Sequence, residues 1–390
     1  MLINKDSLSI YVHIPFCVRK CLYCDFLSFN CDKRAIDEYF RALLTEVKEV
    51  SAEYRDFQVK SIFFGGGTPS FVDVEHICST LKCIRESFNV ADDAESSIEC
   101  NPASAIYDKL QAYRAAGINR ISIGAQSLND EELVRIGRAH NAEMFYETFE
   151  NARKAGFDNI NVDIMSALPS QNMDSYMETL SKVVSLNPEH ISAYSLIVEE
   201  GTPFYDMELD LPNEDEDRRM YHETKRFLAE NGYHRYEISN YARDFGDANM
   251  VTASDGNAPS YECYHNKVYW KRGSYLGLGL GASSMVDNIR WKNTSDMDEY
   301  VNEHSIRRDI QKLTKSECME EFMFLGLRLT RGVSCSDFKA EFGQDIDEVY
   351  GKIIEKYIAD GLLIRDDDNI YLSDEGMDVS NTVMADFLLD

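Results

Sequence analysis

Three cysteines near the N-terminus are the most concentrated set of reactive side chains in the sequence. Cys17, Cys21 and Cys24 follow a C-x-x-x-C-x-x-C spacing, directly after an alternating apolar segment at residues 9–14. That segment predicts a β-strand that ends at Pro15. Thiolates gathered on one short loop are typical ligands of a metal centre, so we expect one at the end of the first strand.

Two kinds of metal centre compete for this loop. A structural zinc site takes four protein ligands, usually as two pairs far apart in sequence, and no second C-x-x-C or H-x-x-x-H pair follows. Three thiolates on one loop suit a 4Fe–4S cluster in which one iron stays open and can bind a reactant. We therefore predict such a cluster, with Cys17, Cys21 and Cys24 as its ligands.

The composition excludes several classes of partner. The chain has 390 residues, of which 44% are hydrophobic, and a formal net charge of −28. Its length allows one large α/β domain and a smaller one. The strong negative charge argues against nucleic acid and against non-specific attraction to anionic lipid.

The sequence also predicts a cytoplasmic protein with no membrane span. No basic segment followed by an apolar run opens the chain, and the longest uncharged glycine-rich stretch, 275–286, is shorter than the roughly 18 residues that a span needs. Seven of the ten cysteines are scattered through the chain. For most of these we expect the role of a small buried hydrophobic residue.

Alternating elements must position the cysteine loop. From residue 9 to about residue 200, short apolar runs alternate with amphipathic stretches, which is typical of β-α units with a parallel sheet. Six such units predict an α/β fold with a partial, six-stranded parallel barrel, whose functional residues lie at the carboxyl ends of the strands. The predicted strands are 9–14, 61–64, 97–99, 120–123, 159–164 and 191–196, and the helices are 32–53, 73–87, 104–116, 130–137, 141–155 and 173–186.

Glycines or polar side chains follow the predicted strands at that rim. Consecutive glycines let a backbone approach a ligand closely. Acids at the ends of apolar strands are costly to bury alone, so each is expected to meet a polar ligand or a salt-bridge partner. These residues are Gly66, Gly67 and Thr68 after the second strand, Glu99 at the third, Gln126 at the fourth and Asp163 in the fifth.

Several of these motifs, in the same order, resemble the coproporphyrinogen III oxidase-related branch of the radical S-adenosylmethionine superfamily. The matching segments are the cysteine loop, G-G-G-T-P at 65–69, I-E-C-N-P at 98–102, I-G-A-Q-S at 123–127, G-R-A-H at 137–140 and Y-E-I-S-N-Y-A at 236–242. The resemblance implies that the open iron binds S-adenosylmethionine and passes it one electron. It further implies contacts to that cofactor from Tyr11, Tyr23, Gly66, Gly67, Thr68, Glu99, Gln126, Arg138 and Asp163.

A second group of possible ligands lies among aromatic residues at 261–270. Cys263 and His265 could ligate a haem iron, with neighbouring rings stacked on the porphyrin. The alternative is a hydrogen-bonded core histidine in an aromatic cluster. The H-N-x-x-Y-W string at 265–270 resembles a signature of haem chaperones within the same branch.

The last part of the chain predicts a separate small domain. Helices at 315–329, 335–341 and 346–360 precede a hairpin at 362–372 with an acidic turn at 366–369. This order is typical of a winged-helix-like α+β domain, and the acidic turn argues against DNA binding. We therefore predict a barrel core at 1–205, an extension at 206–298 and this domain at 299–390.

Two functions fit the resemblance. The first is a haem chaperone that binds the cluster, S-adenosylmethionine and haem, receives electrons from a donor and delivers haem to acceptor haem proteins. The second is an oxygen-independent coproporphyrinogen III oxidase, whose family carries a further cysteine where this chain has Phe26. We expect the chaperone without oxidase activity, since Phe26 and the 265–270 string both favour it. A third possibility is a protein whose cysteines are only structural ligands. We rank it below the other two, because the polar residues at the rim would then have no function.

Overall fold

The computed structural model describes residues 6–244, 261–303 and 306–389, which form one large twelve-stranded sheet and one small three-stranded sheet. Six strands of the large sheet lie side by side in chain order and run parallel. They are β1 (Ser7–Ile14), β2 (Gln58–Gly66), β3 (Asn89–Cys100), β4 (Arg120–Gln126), β5 (Ile160–Ser166) and β6 (His190–Ser195). The predicted partial barrel of six parallel strands is therefore confirmed.

Helices connect these strands and cover the outer face of the sheet. They are α1 (Lys33–Val50), α2 (Val74–Ser87), α3 (Tyr107–Ala116), α4 (Asp130–Arg135), α5 (Ala142–Lys154) and α6 (Met173–Ser185). Asparagine or aspartate side chains cap several N-termini, as Asp32 does for α1 and Asn141 for α5. Gly117 ends α3 in the left-handed conformation, where glycine carries no steric cost.

Apolar and polar residues alternate along β1, so the two faces of the strand have different environments. Ile10, Val12 and Ile14 belong to the main apolar core, which also contains residues of α1. Ser9 and Tyr11 lie on the other face, where Ser9 Oγ accepts a hydrogen bond from Ser61 Oγ of β2 at 2.7 Å. Since successive side chains of a strand point to opposite faces, the apolar residues face the helices and the polar ones face the barrel interior.

The extension adds strands at both edges of the barrel. Next to β6 lie β8 (Asn240–Ala242) and β7 (His234–Arg235), both in antiparallel pairs. Next to β1 lies β9 (Ser274–Leu278), which runs parallel to it and was not predicted as a parallel strand. The sheet continues through β10 (Ser283–Val286), β11 (Ile289–Asn293) and β12 (Arg307–Lys312).

The large sheet runs past residue 299, where the sequence predicted the C-terminal domain to begin. Strand β12 pairs with β11, so residues predicted to belong to the C-terminal domain form part of the large sheet. Helix α7 (Glu214–Glu230) packs against α6, α8 (Tyr264–Trp270) contacts β2, and α9 (Met297–Asn302) contacts α1. The division into three domains otherwise stays a prediction.

The C-terminal part has an apolar core of its own, which includes Phe322, Phe338, Tyr350 and Ile370. Its predicted hairpin is present as an antiparallel pair of strands in a small three-stranded sheet. The elements are α10 (Lys315–Gly326), β13 (Val333–Ser334), α11 (Cys335–Phe342), α12 (Ile346–Ala359), β14 (Leu363–Asp366), β15 (Asn369–Leu372), α13 (Asp374–Asp378) and α14 (Ser380–Ala385). In the described parts of the chain, every helix is too short or too polar to span a bilayer.

Candidate functional site

The cysteine loop connects β1 to α1, and backbone hydrogen bonds hold it at the barrel rim. Cys17 N donates to Phe29 O at 2.9 Å, and Phe29 N donates to Pro15 O at 2.8 Å. Leu22 N donates to Ile136 O at 3.1 Å, which joins the loop to the end of α4. All three cysteines are half-buried and unbridged, so the backbone is anchored while the residues stay partly exposed.

The thiols share one electrostatic environment. Cys17 Sγ lies 3.3 Å from Thr68 Oγ1, and Arg138 Nη1 lies 3.8 Å from Cys21 Sγ. Burial raises the pKa of Cys24 to about 11, and the neighbouring Cys21 and Cys17 thiols raise it further. A bound cation would favour the thiolates.

The donor set fits a cluster better than a single ion. Within the described ranges, no three His, Cys, Asp or Glu side chains are arranged to hold one metal ion. Three thiolates that each bind a different iron of a cubane do not have to converge on one point. Cys17, Cys21 and Cys24 would then supply three of the four ligands and leave one iron open.

The glycine turn after β2 lies directly beneath the loop. Gly66 has φ +111°, and its N–H donates to Glu99 Oε2 at 3.0 Å. A Cβ added at Gly66 would lie 2.5 Å from the His13 ring, and one at Gly67 would lie 2.9 Å from the carbonyl oxygens of Ile14 and Phe16. The turn therefore needs glycine because backbone and side chains of β1 pack against it.

Tyr11 lies beside this turn on the inner face of β1. Its ring stacks on Phe63 with centroids 6.3 Å apart, and its hydroxyl lies 3.0 Å from His13 Nδ1. His13 Nε2 donates to Leu27 O at 2.9 Å, so Nδ1 accepts from Tyr11. Burial lowers the pKa of His13, which keeps this neutral tautomer in place.

Two carboxylates, Glu99 and Asp163, line the interior next to the turn. Burial raises the pKa of Glu99 to about 8, and the nearby charge of Asp163 raises it further. Asp163 accepts from Ser122 Oγ at 2.9 Å and from Asn161 Nδ2 at 2.7 Å, while burial raises its pKa. Two carboxyl groups that face one space suit a ligand that carries positive charge.

Gln126 and Arg138 form the opposite side of the rim. Gln126 has φ +64° at a register shift between β4 and β5, and its Oε1 accepts from Tyr194 at 2.9 Å. Arg138 Nη2 donates to Gly124 O at 2.6 Å, while its buried Nε has no hydrogen-bond partner within the described residues. This spare donor on a cation could take an oxygen of a bound carboxylate.

Tyr23 completes the rim on its apolar side. It packs against a cluster that contains Leu133, Ile136 and Met165. Burial raises its pKa, an effect that the charge of Arg138 opposes. The structure thus brings the predicted residues together in a continuous arrangement around the cysteine loop, with Asp163 one strand away from Gln126.

The predicted haem ligands Cys263 and His265 lie elsewhere, inside the barrel. Ser61 Oγ donates to Ser9 Oγ, so His265 Nδ1 donates to Ser61 Oγ at 2.8 Å and Nε2 accepts from Tyr269 Oη at 3.0 Å. His265 is 2% exposed, and burial lowers its pKa to about 3. The geometry favours the core histidine over a haem ligand.

Cys263 is buried in the same way. Its Sγ donates to Glu95 Oε1 at 3.5 Å, and burial raises its pKa to about 12. The Glu95 carboxylate also accepts from the backbone N–H groups of Tyr264 and His265, both at 3.0 Å. It therefore caps the start of α8, and the thiol belongs to that cap.

Sequence reasoning missed three polar residues of the interior, His13, Glu95 and Arg120, of which His13 and Arg120 are buried and Glu95 is half-buried. Arg120 is 2% exposed, and its charge lowers the pKa of Glu99 and of Asp163. Strand periodicity was the available signal for His13 and Glu95, which lie two positions from Tyr11 and four positions from Glu99 on the same strand. Arg120 lies six positions before Gln126, with a register irregularity between Gly124 and Gln126, so periodicity did not indicate it. Polar residues that follow a strand were predicted as site residues, and polar residues within a strand were not.

Comparisons with known proteins agree with this geometry. A family model described as the radical SAM superfamily matches residues 11–183, and one described as the HemN C-terminal domain matches residues 313–379. The solved structure of coproporphyrinogen III oxidase (HemN) from Escherichia coli, a radical SAM enzyme, superposes with a TM-score of 0.83 at 24% identity, covering 98% of this chain and 90% of that one. This likeness supports the fold.

Curated relatives are similar over nearly the whole length. The heme chaperone HemW of Lactococcus lactis is 34% identical over 98% of this chain and 97% of its own. The Bacillus subtilis protein of the same name is 34% identical, with 97% and 99% covered, and that of Escherichia coli is 31% identical, with 100% of both covered. The chain therefore belongs to the radical SAM superfamily and, within it, to the family of the heme chaperones HemW.

Proposed function

We propose that this protein is a haem chaperone of the radical S-adenosylmethionine type. It binds a 4Fe–4S cluster and S-adenosylmethionine at the barrel rim, carries haem, and delivers the haem to acceptor haem proteins. The observation that carries the cofactor part is the anchored loop with three half-buried, unbridged cysteines, next to Arg138 and Thr68. The family supports the haem part, because the curated relatives carry the name heme chaperone.

Different residues of the rim hold different parts of the cluster and of S-adenosylmethionine. When bound, the cluster supplies an electron to S-adenosylmethionine. Cys17, Cys21 and Cys24 hold the cluster, Arg138 presents a spare donor to the carboxylate of the methionine part, and Glu99 presents an acceptor to its positive groups. We assign the remaining contacts to Tyr11, Tyr23, Gly66, Gly67, Thr68, Gln126 and Asp163.

The alternative is an oxygen-independent coproporphyrinogen III oxidase. One specific observation favours it, which is the full-length fold similarity to the Escherichia coli enzyme. Proteins that share a fold can have many different functions. In addition, Phe26 occupies the position at which that enzyme family has a further cysteine. We therefore rank it second. The chaperone proposal also includes a cytoplasmic location and an electron donor for the cluster, and no nucleic-acid partner.

Two reactions separate these functions. Anaerobically reconstituted protein is loaded with haem and mixed with an apo-form of a haem protein, and transfer is followed by the absorbance of the acceptor. In parallel, the reduced protein is incubated with coproporphyrinogen III and S-adenosylmethionine, and the tetrapyrroles are separated by chromatography. We expect haem transfer and no protoporphyrinogen.

The opposite pattern decides against the proposal. Protoporphyrinogen formed with S-adenosylmethionine turnover would establish the oxidase. A wild-type protein that binds no haem would exclude the chaperone. The variant Cys21→Ser is the control in both assays, since it removes a cluster ligand and leaves α8 and the C-terminal part unchanged.

A further inference from the structure

A cavity of about 770 Å³ lies between the barrel extension and the C-terminal part. Its walls come from β7, the end of α8, the segment after α10 and the β14–β15 hairpin. None of the residues assigned to the cluster or to S-adenosylmethionine lines it. The volume falls within the roughly 300–1,000 Å³ typical of small-molecule sites, so the space could accommodate a cofactor-sized ligand.

Helix α8 separates this cavity from the barrel interior and presents a different face to each. His265 and Tyr269 point into the barrel, where His265 stacks on Phe63 at 5.1 Å. Lys267, Trp270 and Lys271 line the cavity. Residues three and four apart share a helix face, which explains why one short motif serves both spaces.

The charge of the cavity differs from that of the whole chain. Five Lys or Arg and four Asp or Glu residues line it, whereas the chain has a net charge of −28. An anion is therefore repelled less here than over most of the surface. Trp270 and Tyr371 add aromatic surface to the same walls.

In the described part of the chain, two residues that line the cavity have buried donors without acceptors. Arg235 Nε and Trp270 Nε1 are buried and have no hydrogen-bond partner within the described residues, and both side chains line the cavity. Arg328 stacks on Trp270 at 4.3 Å, and its Nε is a third such donor. Buried polar groups are normally paired, so the side of the cavity formed by Arg235 and Trp270 has more donors than acceptors.

We propose that the cavity is the haem-carrying site, which takes a planar aromatic molecule by its ring and its carboxylates. The ring lies against Trp270 and Tyr371, and the carboxylates lie towards Arg235, Lys271 and Arg331. This assignment rests on the proposed chaperone function and replaces His265 and Cys263 as the haem contacts. It places haem on the far side of α8 from the S-adenosylmethionine site.

The test is a haem titration of the full chain, followed by haem absorbance, for wild type, Trp270→Ala and Lys271→Glu. Lys312→Glu on β12 is the matched control, because it makes the same charge change outside the cavity. We expect each cavity variant to bind haem about fivefold to twentyfold more weakly and the control to stay within about twofold. Haem dimethyl ester, which lacks the free carboxylates, should bind more weakly to wild type and should be insensitive to Lys271→Glu.

Each outcome decides a different claim. If wild type binds haem and both cavity variants keep its affinity, the haem lies elsewhere and the chaperone proposal stands. If wild type binds no haem, both proposals fail. Binding of S-adenosylmethionine by each reconstituted variant shows that it is folded, so a loss of haem affinity reports on the cavity.

Discussion

The cysteine loop and the start of α8 look alike in sequence but differ in what their side chains still have to bind. Both place thiols among aromatic or charged neighbours. In the loop, the three cysteines are half-buried, and Cys17 Sγ and Cys21 Sγ each contact one polar side chain besides the hydrogen bonds of the backbone. At α8, both ring nitrogens of His265 and the thiol of Cys263 are already hydrogen-bonded inside the barrel.

This difference shows what makes a residue a ligand. A metal or a haem needs an electron pair that the fold leaves free and accessible. At His265, Nδ1 donates to Ser61 and the electron pair of Nε2 accepts from Tyr269, so the buried ring has no free pair for a haem iron. The residue types are suitable in both regions, but the loop cysteines are half-buried, whereas Cys263 and His265 are fully buried in the barrel.

The largest expected effect is loss of the cluster from loop variants. Cys17→Ser, Cys21→Ser or Cys24→Ser should retain less than about a tenth of the wild-type iron, because each removes one of only three thiolate ligands. Cys263→Ser should keep the full iron content. Iron and sulfide are measured after anaerobic reconstitution, and a fully loaded loop variant would remove the basis of the comparison.

A change in the glycine turn should act almost as strongly on the cofactor. In Gly66→Ala the new Cβ lies 2.5 Å from His13, at φ +111°, so the turn or β1 must move. We expect the affinity for S-adenosylmethionine to fall at least about tenfold, because small displacements at a site are costly.

Gly156→Ala is the control for this turn. It has a similar positive φ of +90° but nothing within 4 Å of the added Cβ. It should cost about 1 kcal/mol of stability and leave cofactor binding unchanged. Equal effects of both variants on cofactor binding, measured by calorimetry, would show that only backbone strain matters.

At α8 the expected effect is on stability. His265→Ala removes a buried ring and two hydrogen bonds, and should lower the free energy of unfolding by about 2–4 kcal/mol. Its haem affinity should change less than about twofold. His222→Ala, at a half-exposed ion pair with Asp378, should cost less than about 1 kcal/mol. Urea unfolding and haem titration test both, and a stable His265→Ala that has lost haem would restore His265 as ligand.

The smallest effect concerns pH. The pKa of Glu99 is about 8, so the group is mostly protonated at neutral pH in the ligand-free protein. A cationic ligand favours the ionised form, and its affinity should rise towards pH 8 by at most about tenfold per unit and then level off. Glu99→Gln should flatten the profile of S-adenosylmethionine binding between pH 6 and 9. An unchanged slope in that variant would assign the titration to another group.

The raised pKa of Glu99 also makes the stability of the protein depend on pH. A carboxyl group whose pKa is raised in the folded state favours the protonated native form, so the free energy of unfolding falls as the pH rises towards 8. In the ligand-free protein, Glu99→Gln should remove this fall. The melting temperature at pH 5 and at pH 8.5, with and without the substitution, measures it.

The sequence by itself determined the parallel barrel, the cysteine loop and most of the rim. Strand and helix periodicity, together with glycines and acids after each strand, are local patterns, and the carboxyl ends of parallel strands meet at one edge. These local patterns were therefore sufficient to predict that Gly66 and Glu99 lie at the same rim as Cys17, whereas Arg138 was implied by the family resemblance.

Only the tertiary structure decided the state of His265, the pairing of β9 with β1 and the existence of the cavity beside Trp270. Each depends on contacts between segments far apart in the chain. Ser61 and Glu95 hold α8 from positions about 200 and 170 residues away. Such distant partners determine whether a side chain keeps an electron pair available for a ligand. The spacing of residues within a motif does not reveal these partners.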